Sequence, residues 1–545
     1  MDRLYNAPTN HSNPIRLDAV AEATLQPRWR EQVSGGSSAA RIRTNHGSTP
    51  PTTPPSLHAF ADVSTEVKEF NFTTFQNVIN GELKTTETTR HAISPHTKKP
   101  LAEVPLSTSK DVDDAVAAAR AAFPKWKKTS FEERAKALNG LAATIYEYQQ
   151  EFVKLNGYEL GAPVSIAEIL IHMGAGWLSE TAKLHPIDEV VEDTPEREVI
   201  VRYLPLGVVV GIVPWNLPLH CTAAKIAAAV IAGNCIIIKP SPYTPYSGLK
   251  LVEMAQKFFP PGVVQVLSGD DSLGQMLTEH PGVDKISFTG STATGKKVMQ
   301  SASKTLKRVT LELGGNDAAI ITKNIDVATI APALAGVIFS HSSQVCLAIK
   351  RLYVQESIFE EFRDALVAAV KAFKLGEGVG EGENDPTVTI GPVQNEMQYE
   401  RVKGFFNDIE KEGWKVAVGG TIDESPGYFI NPTIIDRPKE DSRIVVEEPF
   451  GPILPILSWS DEDDVIARAN NTRMGLGGSV WTTDLVEGRR IAEQIEAGSV
   501  WINSHMDVTP NFPFGGHKES GIGYENGLGG VKAYCNVQTL YLKKK

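Results

Sequence analysis

Between residues 207 and 322 the sequence alternates short apolar segments with stretches of helical periodicity. The apolar segments, such as 208–213 and 235–239, are almost uninterrupted and rich in β-branched residues. Strands of this kind, separated by helices, are typical of a parallel sheet that is covered on both faces. Because ligands bind beyond the carboxyl ends of such strands, the polar residues that follow each strand are the first candidates for a binding site.

Length and composition narrow the class of protein. The chain has 545 residues, which predicts two to four domains, and its 41% hydrophobic and 22% charged residues are ordinary for a soluble globular protein. The net charge of −11, with lysine and arginine scattered, argues against nucleic acid or an anionic membrane as a partner. The longest apolar run, 226–238, is short and interrupted by Gly233 and Asn234, so no transmembrane helix is expected.

The cysteines and the N-terminal segment bear on the compartment. The four cysteines show no CxxC or Cys/His spacing, so the sequence implies neither a disulfide framework nor a metal site, and we expect a cytoplasmic protein. Residues 1–66 are rich in Pro, Ser and Thr and lack periodicity, which indicates a flexible extension. A mitochondrial transit peptide is the alternative, favoured by four arginines at 28–43 and opposed by acidic residues in the segment.

Cys346 is the first candidate for a catalytic residue. It follows the segment 339–345, where an apolar helical pattern ends and the strand that starts near Arg351 has not yet begun. A thiol in such a junction can meet a substrate, although many cysteines are simply small buried residues. Reaction with a carbonyl group requires the thiolate, so a catalytic cysteine needs a polar pocket or a nearby base.

The motifs on either side of Cys346 decide between these two interpretations. They are Val213-Pro-Trp-Asn216, Phe288-Thr-Gly-Ser-Thr292, Leu311-Glu-Leu-Gly-Gly315, Glu448-Pro-Phe-Gly-Pro452 and Pro513-Phe-Gly-Gly516. In this order, from about Phe70 to the C-terminus, the chain resembles the aldehyde dehydrogenase superfamily. The resemblance implies oxidation of an aldehyde to a carboxylic acid, with hydride transfer to NAD and with NADP possible. It also implies a homodimer or homotetramer.

The resemblance implies an α/β fold with two Rossmann-like parallel-sheet domains and a small β oligomerisation arm. The expected cofactor-binding domain comprises residues 67–187 and 206–312, and the catalytic domain comprises residues 313–517. Residues 188–205 and 530–545 form the expected arm. The segment 196–203 alternates charged and β-branched residues, and 532–542 is rich in β-branched and aromatic residues, so both are predicted strands with open edges.

Three residues are the predicted catalytic group. By the resemblance, Cys346 is the nucleophile, Glu312 is the base that activates the deacylating water, and Asn216 stabilises the oxyanion together with the Cys346 N–H. Independently, a carboxylate at the end of an apolar strand is costly to bury without a partner or a purpose. Glu312 also disfavours the relatives that pass the acyl group to coenzyme A. Lys225 either adds positive potential near the site or is a solvated helix lysine.

The predicted cofactor site collects residues that follow the strands of the first region. The stretch Gly290–Gly295 opens a helix whose N-terminus can receive pyrophosphate, Lys239 can hold ribose hydroxyls, and Glu448 can hold the nicotinamide ribose. The full predicted set is Trp215, Lys239, Ser241, Thr289, Gly290, Ser291, Gly295, Leu313, Glu448 and Phe450. After Ser241 many NAD-selective relatives carry a glutamate that repels a 2′-phosphate, whereas this chain has Pro242.

Two features separate this chain from common members of the superfamily. Ser343 occupies a position where glycine is usual, and a positive φ there would strain serine. This departure is also the one hint toward a protein that keeps the fold without catalysis. Leu217 and Ala224 stand where aromatic residues often line the substrate pocket, which predicts a roomier pocket. His505 and Asp507 either offer polar contacts at its mouth or are solvated loop residues.

Overall fold

The computed structural model describes residues 70–380, 384–423 and 425–545. The chain divides into two units, Met1–Asn71 and Phe72–Lys545, and the architecture below is that of the second unit. The predicted extension 1–66 lies outside the described residues. In the described part of the chain, none of the helices combines the length and the apolar character that crossing a membrane requires.

The strands of the described residues are given first, in chain order. They are β1 (Asn77–Ile79), β2 (Glu82–Lys84), β3 (Thr89–Ile93), β4 (Pro100–Pro105), β5 (Glu189–Asp193), β6 (Arg197–Pro205), β7 (Val208–Ile212), β8 (Cys235–Lys239), β9 (Val264–Val266), β10 (Lys285–Thr289), β11 (Arg308–Glu312), β12 (Asp317–Ile321), β13 (Ile349–Gln355), β14 (Lys415–Val418), β15 (Thr433–Asp436), β16 (Ile453–Trp459), β17 (Gly477–Trp481), β18 (Ser499–Ile502), β19 (Gly521–Ile522) and β20 (Cys535–Lys543).

The α-helices cover the two large sheets. They are α1 (Ser109–Trp126), α2 (Phe131–Glu147), α3 (Gln149–Leu160), α4 (Val164–Thr181), α5 (Pro218–Ile231), α6 (Tyr246–Ala255), α7 (Asp271–Glu279), α8 (Thr292–Ala302), α9 (Val327–Phe339), α10 (Phe359–Lys371), α11 (Glu396–Glu412), α12 (Arg443–Val446), α13 (Glu462–Asn470), α14 (Leu485–Ala492) and α15 (Gly527–Lys532).

The first sheet has eight strands in the order β19-β11-β10-β7-β8-β9-β1-β2. Its five central strands are parallel, and β19, β1 and β2 are antiparallel additions at the two edges. Strands β7 and β8 are buried along their whole length, as uninterrupted apolar strands should be. The prediction of a parallel sheet is therefore confirmed.

The second sheet has seven strands in the order β14-β15-β16-β13-β12-β17-β18. All neighbours pair in parallel except β14, which pairs antiparallel with β15 at the edge. One apolar cluster packs on each face of this sheet, with Ile320 and Tyr353 in one cluster and Ile321 and Leu352 in the other. The alternation of neighbouring residues between the two clusters follows from the two-residue period of a strand.

The predicted arm is a separate three-stranded antiparallel sheet in the order β20-β6-β5. Strand β20 pairs with β6 along nine residues, from Cys535 opposite Pro205 to Lys543 opposite Arg197. Val537 and Tyr541 of β20 are 63% and 72% exposed. The two segments predicted to be strands with open edges therefore pair with each other, and apolar side chains of β20 remain uncovered within one chain.

Candidate active site

The predicted nucleophile and the predicted base come together although they belong to different sheets. Cys346 follows α9 and a short 3₁₀ turn at Ser340–Ser343, whereas Glu312 ends β11. The Cys346 thiol and the Glu312 carboxyl group are buried neighbours, and each shifts the pKa of the other. The Glu312 carboxyl oxygen Oε1 is buried and has no hydrogen-bond partner among the described residues. A buried oxygen without a partner in the protein is free to accept a hydrogen bond from a water or a substrate.

Burial sets the electrostatics of this pair. Burial raises the pKa of Glu312 to about 8, and the neighbouring carboxylate of Glu525 adds to the effect. Burial also raises the pKa of Cys346 well above its ordinary value, and Glu312 raises it further. Because the neutral forms of both groups are favoured at neutral pH, any reaction of the thiolate has to begin with proton transfer to a base.

Asn216 is fixed against the loop that carries Cys346. It lies between β7 and α5, and it is buried. Its side-chain Nδ2 donates to the carbonyl of Gln344 at 2.8 Å, and the ring of His341 is hydrogen-bonded to its main-chain carbonyl at 3.0 Å. A primary amide has two N–H donors, so one of them remains after the bond to Gln344. This arrangement suits the predicted oxyanion donor.

The loop before Cys346 has an unusual backbone. His341, Ser342 and Ser343 have φ values of +51°, +55° and +58°, so three consecutive residues with a Cβ lie in the left-handed region. This region costs about 1–2 kcal/mol for each such residue. The hydroxyl groups of Ser342 and Ser343 donate to the carbonyls of Gly391 and Ile338, both at 2.7 Å. Ser343 thus has the positive φ that was expected to strain it.

A buried ion pair lies close to the reaction centre. The Lys225 ammonium group, in α5, donates to Glu525 at 2.8 Å and to the Ser287 hydroxyl at 2.9 Å. Lys225 is 1% exposed, so the interpretation as a solvated helix lysine is wrong. Burial favours the neutral form of Glu525, but Lys225, Ser287 and Lys285 together lower its pKa below the ordinary value. Sequence reasoning missed Glu525 because it lies in a glycine-rich polar segment that is typical of a surface turn.

The predicted pyrophosphate site has the expected local geometry. Ser291 caps α8 and accepts the N–H of Thr294, while the Gly290 N–H donates to the Glu312 carbonyl at 3.0 Å. A Cβ on Gly295 would lie 2.5 Å from the Leu313 side chain, so only glycine lets α8 approach the strand end this closely. Thr289 is the last residue of β10 and leads into this turn.

Lys239 and Ser241 follow the neighbouring strand β8. Lys239 is 4% exposed, and its ammonium makes one long contact of 3.4 Å, to the carbonyl of Pro240. Burial lowers the pKa of Lys239 to about 8. Ser241 accepts the N–H of Tyr243 at 3.2 Å. A buried ammonium with unused donors is suited to bind hydroxyl groups of a ligand.

The remaining predicted cofactor residues make contacts of two kinds, ring packing by Trp215 and Phe450 and polar contacts by Glu448. The rings of Trp215 and Phe450 pack edge to face with 5.3 Å between centroids. Glu448 Oε1 accepts the Gly315 N–H at 3.1 Å and forms an ion pair with Lys350 at 3.1 Å. Lys350 was not predicted, because two adjacent basic residues, Lys350 and Arg351, near the start of a strand do not show which side chain faces the site.

His505 does not lie at the mouth of a pocket. It is 7% exposed, and its ring is hydrogen-bonded to the Ser479 hydroxyl at 2.8 Å and to the Leu347 carbonyl at 2.7 Å. The interpretation as a solvated loop residue is therefore wrong for His505, and both of its ring nitrogens have partners within the protein. Asp507, by contrast, is exposed. The side chains around Cys346 form an apolar cluster with Val345, Leu347 and Phe514.

Comparisons with known proteins place this chain in a family. The family model described as "Aldehyde dehydrogenase family" matches residues 83–540. The putative aldehyde dehydrogenase FUS7 of Gibberella fujikuroi is 40% identical over 474 residues, covering 87% of this chain and all of the relative. The aldehyde dehydrogenase LUC3 of a Fusarium species is 42% identical over 476 residues, again covering 87% of this chain and all of the relative.

Solved structures give the same result. An aldehyde dehydrogenase of Bacillus cereus, solved as a point mutant, has a TM-score of 0.83 at 33% identity and covers 89% of this chain and 100% of its own. The betaine aldehyde dehydrogenase of Staphylococcus aureus, solved in complex with NAD⁺, has a TM-score of 0.82 at 31% identity. It covers 86% of this chain and 95% of its own. The chain belongs to the aldehyde dehydrogenase family, as its motifs predicted, and oxidation of an aldehyde is the reaction class that this membership supports.

Proposed function

We propose that this protein oxidises an aldehyde to a carboxylic acid through a thioester on Cys346, with NAD as the hydride acceptor. The observation that carries this proposal is the position of the buried Glu312 carboxyl group beside the Cys346 thiol, close enough for each to shift the pKa of the other. A nucleophile in contact with a base is the arrangement that covalent catalysis requires. The family of the chain and the NAD⁺ complex of a solved relative support the same conclusion.

The residues of this chain fit a nicotinamide dinucleotide. Lys239 has a buried ammonium with unused donors for the adenosine ribose, and the capped N-terminus of α8 suits a pyrophosphate group. Glu448 offers a carboxylate to the nicotinamide ribose, and the Trp215 and Phe450 rings offer an apolar wall. When bound, NAD supplies the ring carbon that accepts the hydride.

The first step forms a bond between sulfur and carbon. The ionised fraction of Glu312 takes the thiol proton of Cys346, and the thiolate attacks the aldehyde carbon, whose carbonyl π pair moves onto oxygen. The Asn216 amide and the Cys346 N–H donate to this oxyanion, and fixed donors of this kind are worth about 3–4 kcal/mol of barrier. When the oxygen re-forms its double bond, hydride leaves the carbon and a thioester remains on Cys346.

The second step breaks the same bond with water. Glu312, after losing the proton of the first step, accepts a proton from a water molecule whose oxygen attacks the thioester carbon. The tetrahedral adduct collapses with cleavage of the carbon–sulfur bond, the carboxylic acid leaves, and the thiolate is restored. The overall change consumes one aldehyde, one NAD⁺ and one water, and it yields one carboxylate, one NADH and two protons.

NADP should also be accepted, because Pro242 offers no carboxylate that would repel a 2′-phosphate. The Arg90 guanidinium donates to the Pro242 carbonyl at 2.5 Å, so the positive charge near this position favours a phosphate further. We expect NAD to be preferred, with a measurable kcat/KM for NADP. A selectivity of more than about a thousandfold for either cofactor would contradict this expectation.

Assembly into a homodimer or homotetramer through the arm is part of the proposal. Val190 and Val191 of β5 are both 57% exposed, as are large parts of Val537 and Tyr541 of β20. Exposed apolar residues on strands with open edges are typical of an interface. Light scattering at micromolar concentration measures the assembly, and a monomer would contradict it.

A cytoplasmic compartment also stays a proposal, and fluorescence microscopy of the tagged full-length chain tests it.

The experiment that tests the function combines turnover with identification of the acylated residue. A panel of aliphatic, aromatic and polar aldehydes is mixed with the protein and NAD, and NADH is followed by its absorbance. Acid quenching followed by peptide mass spectrometry should find the acyl group on the peptide that contains Cys346. The proposal fails if no aldehyde yields NADH, or if the acyl group is found on another residue. A requirement for coenzyme A would indicate the acylating type of reaction instead.

A further inference from the structure

Lys350 is a buried lysine beside the reaction centre that the steps above do not use. It is the second residue of β13, and its side chain is 3% exposed. Its ammonium group donates to the main-chain carbonyls of Val345, at 3.2 Å, and of Cys346, and it forms the ion pair with Glu448 at 3.1 Å. An ammonium has three N–H donors, so these three acceptors account for all of them.

The contact with the Val345 carbonyl has a consequence for the oxyanion donor. The C=O of Val345 and the N–H of Cys346 belong to one planar peptide group, and they point in opposite directions because this peptide is trans. Holding the carbonyl therefore fixes the direction of the N–H. In the described part of the chain no acceptor is found for this N–H, so it is left for a ligand.

The contact with Glu448 ties the same ammonium to the cofactor side of the cleft. The bonds of Glu448 to Lys350 and to the Gly315 N–H both use Oε1. This geometry orients the carboxylate and leaves Oε2 for a ribose hydroxyl. Gly314 leaves room for this orientation, since a Cβ there would lie 2.4 Å from Oε2 and would displace the carboxylate. Lys350 thus contacts the nucleophile loop and the predicted ribose carboxylate at once.

We propose that Lys350 is a positioning residue of this active site, which directs the Cys346 N–H at the oxyanion and holds the Glu448 carboxylate toward the nicotinamide ribose. The inference rests on the proposed function, because it assumes that Cys346 is acylated and that NAD binds at Glu448. A lysine that only stabilised the fold would not need acceptors on both sides of the cleft. The positive charge of Lys350 also opposes the effect of burial on the pKa of Cys346.

Three variants test this role. Lys350→Met removes the charge and all donors, while Lys350→Arg keeps a charge and several donors. The matched control is Lys250→Met, because Lys250 is equally buried and paired with Glu253 at 2.5 Å but lies outside the site. We measure the rate of the first NADH turnover, the binding of NAD by fluorescence, and the rate of Cys346 alkylation by iodoacetamide as a function of pH.

The expected results differ between the variants. Lys350→Met should slow the first turnover about 10- to 100-fold, somewhat less than removal of an oxyanion donor. It should weaken NAD binding about tenfold and shift the alkylation profile to higher pH, since the thiolate loses a neighbouring positive charge. Lys350→Arg should recover part of each effect. Lys250→Met should change stability but leave the alkylation profile where it is.

The inference is overturned if Lys350→Met, folded by circular dichroism, keeps the wild-type alkylation profile, NAD affinity and first-turnover rate. It is equally overturned if Lys250→Met reproduces all three changes, because the effect would then be one of general stability. If Lys350→Met does not fold, Lys350→Arg and Lys350→Gln decide by the same three measurements. Failure of the proposed function is a separate result: the wild-type protein would then produce no NADH, whereas the alkylation profile could still be measured.

Discussion

The carboxyl group of the reaction centre and the carboxyl group of the neighbouring ion pair have pKa values that are shifted in opposite directions. Glu312 lies beside the Cys346 thiol and keeps one oxygen without a partner among the described residues, and its pKa rises to about 8. Glu525 faces Lys225 at 2.8 Å and the Ser287 hydroxyl at 3.0 Å, and its pKa falls below the ordinary value. Both carboxylates are largely removed from water, so the difference comes from their partners and not from burial.

The comparison shows how one cleft can hold a mobile proton and a fixed charge. A carboxylate with a pKa near the working pH exchanges its proton readily, which is what a general base requires. A carboxylate that is paired with an ammonium stays ionised and contributes a constant field. Lys225 lowers the pKa of Glu312 and Glu525 raises it, so both members of the pair adjust the pKa of the base.

The largest effect should follow from removing the nucleophile. Cys346→Ala leaves Glu312 and the ion pair intact, yet no bond to the aldehyde carbon can form, so NADH production should disappear. Stopped-flow absorbance measures this loss. Cys535→Ala is the matched control, because Cys535 is a buried thiol at the start of β20. Strand β20 belongs to the three-stranded sheet, whereas Glu312 ends a strand of the eight-stranded sheet. Unchanged activity of Cys346→Ala would remove the proposed mechanism.

Glu312→Gln should have the next largest effect, and it should act on one step. It keeps the volume but removes the base, so deacylation should slow about 10²- to 10⁴-fold. Acylation and hydride transfer should still give a burst of up to about one NADH per site. Because Glu312 also takes the thiol proton of Cys346 in the first step, the burst should be slower than in the wild-type protein, and a higher pH should partly restore its rate by ionising the thiol directly.

The pH dependence of the wild-type protein and a control variant complete this test. Because Glu312 must be ionised to accept a proton from water, the deacylation rate should rise as pH increases through about 8 and then level off. Glu312→Gln should lose this rise. Glu159→Gln is the control, since Glu159 is a buried carboxyl group with a pKa raised by burial to about 7 that accepts the N–H of Tyr246 away from the site. It should keep both kinetic phases.

Breaking the ion pair between Lys225 and Glu525 should reduce stability and shift the pKa of Glu312. The direction of the pKa shift depends on which partner is removed. Either Lys225→Met or Glu525→Gln leaves a buried charged group without its partner, which costs about 3–5 kcal/mol. The deacylation profile should shift to higher pH in Lys225→Met and to lower pH in Glu525→Gln. Thermal unfolding and single-turnover kinetics measure the two effects. Shifts in the same direction would show that the pair acts only through stability.

The strand pattern and the motifs predicted much of the fold, because both depend on residues that are close together in the sequence. The uninterrupted apolar segment 235–239 coincides with β8 residue for residue. The sequence also predicted that Glu312 and Cys346 lie in one catalytic site, because both residues belong to motifs that follow the order of the resembled family.

The pairing of charges across distant segments could not be predicted. Lys225 and Glu525 are 300 residues apart, and Lys350 reaches Glu448 from a segment almost 100 residues away. Each of these side chains alone is as compatible with solvent as with burial. Only the packing of the elements decides which carboxylate faces which ammonium, so the partner of Lys225 was not predicted and Lys350 was not considered.

The smallest effect concerns the left-handed turn that presents Cys346. Replacing Ser343 by glycine relieves about 1–2 kcal/mol of strain at φ +58°. Against this gain, the hydrogen bond to the Ile338 carbonyl contributes about 0.5–1.5 kcal/mol. Glycine also loses about 0.5–1 kcal/mol more backbone entropy on folding. Because these terms nearly cancel, the free energy of unfolding of Ser343→Gly should lie within about 1 kcal/mol of the wild-type value.

Ser343→Ala separates the two contributions, because alanine keeps the strained φ but loses the hydroxyl group. It should therefore be less stable than Ser343→Gly by about 1 kcal/mol, the cost of the strain less the entropy that glycine loses. Both variants should keep the NADH burst, since neither the thiol nor Glu312 is changed. Thermal unfolding of the three proteins measures the order. An alanine variant as stable as the glycine variant would show that the turn relaxes when its side chain changes.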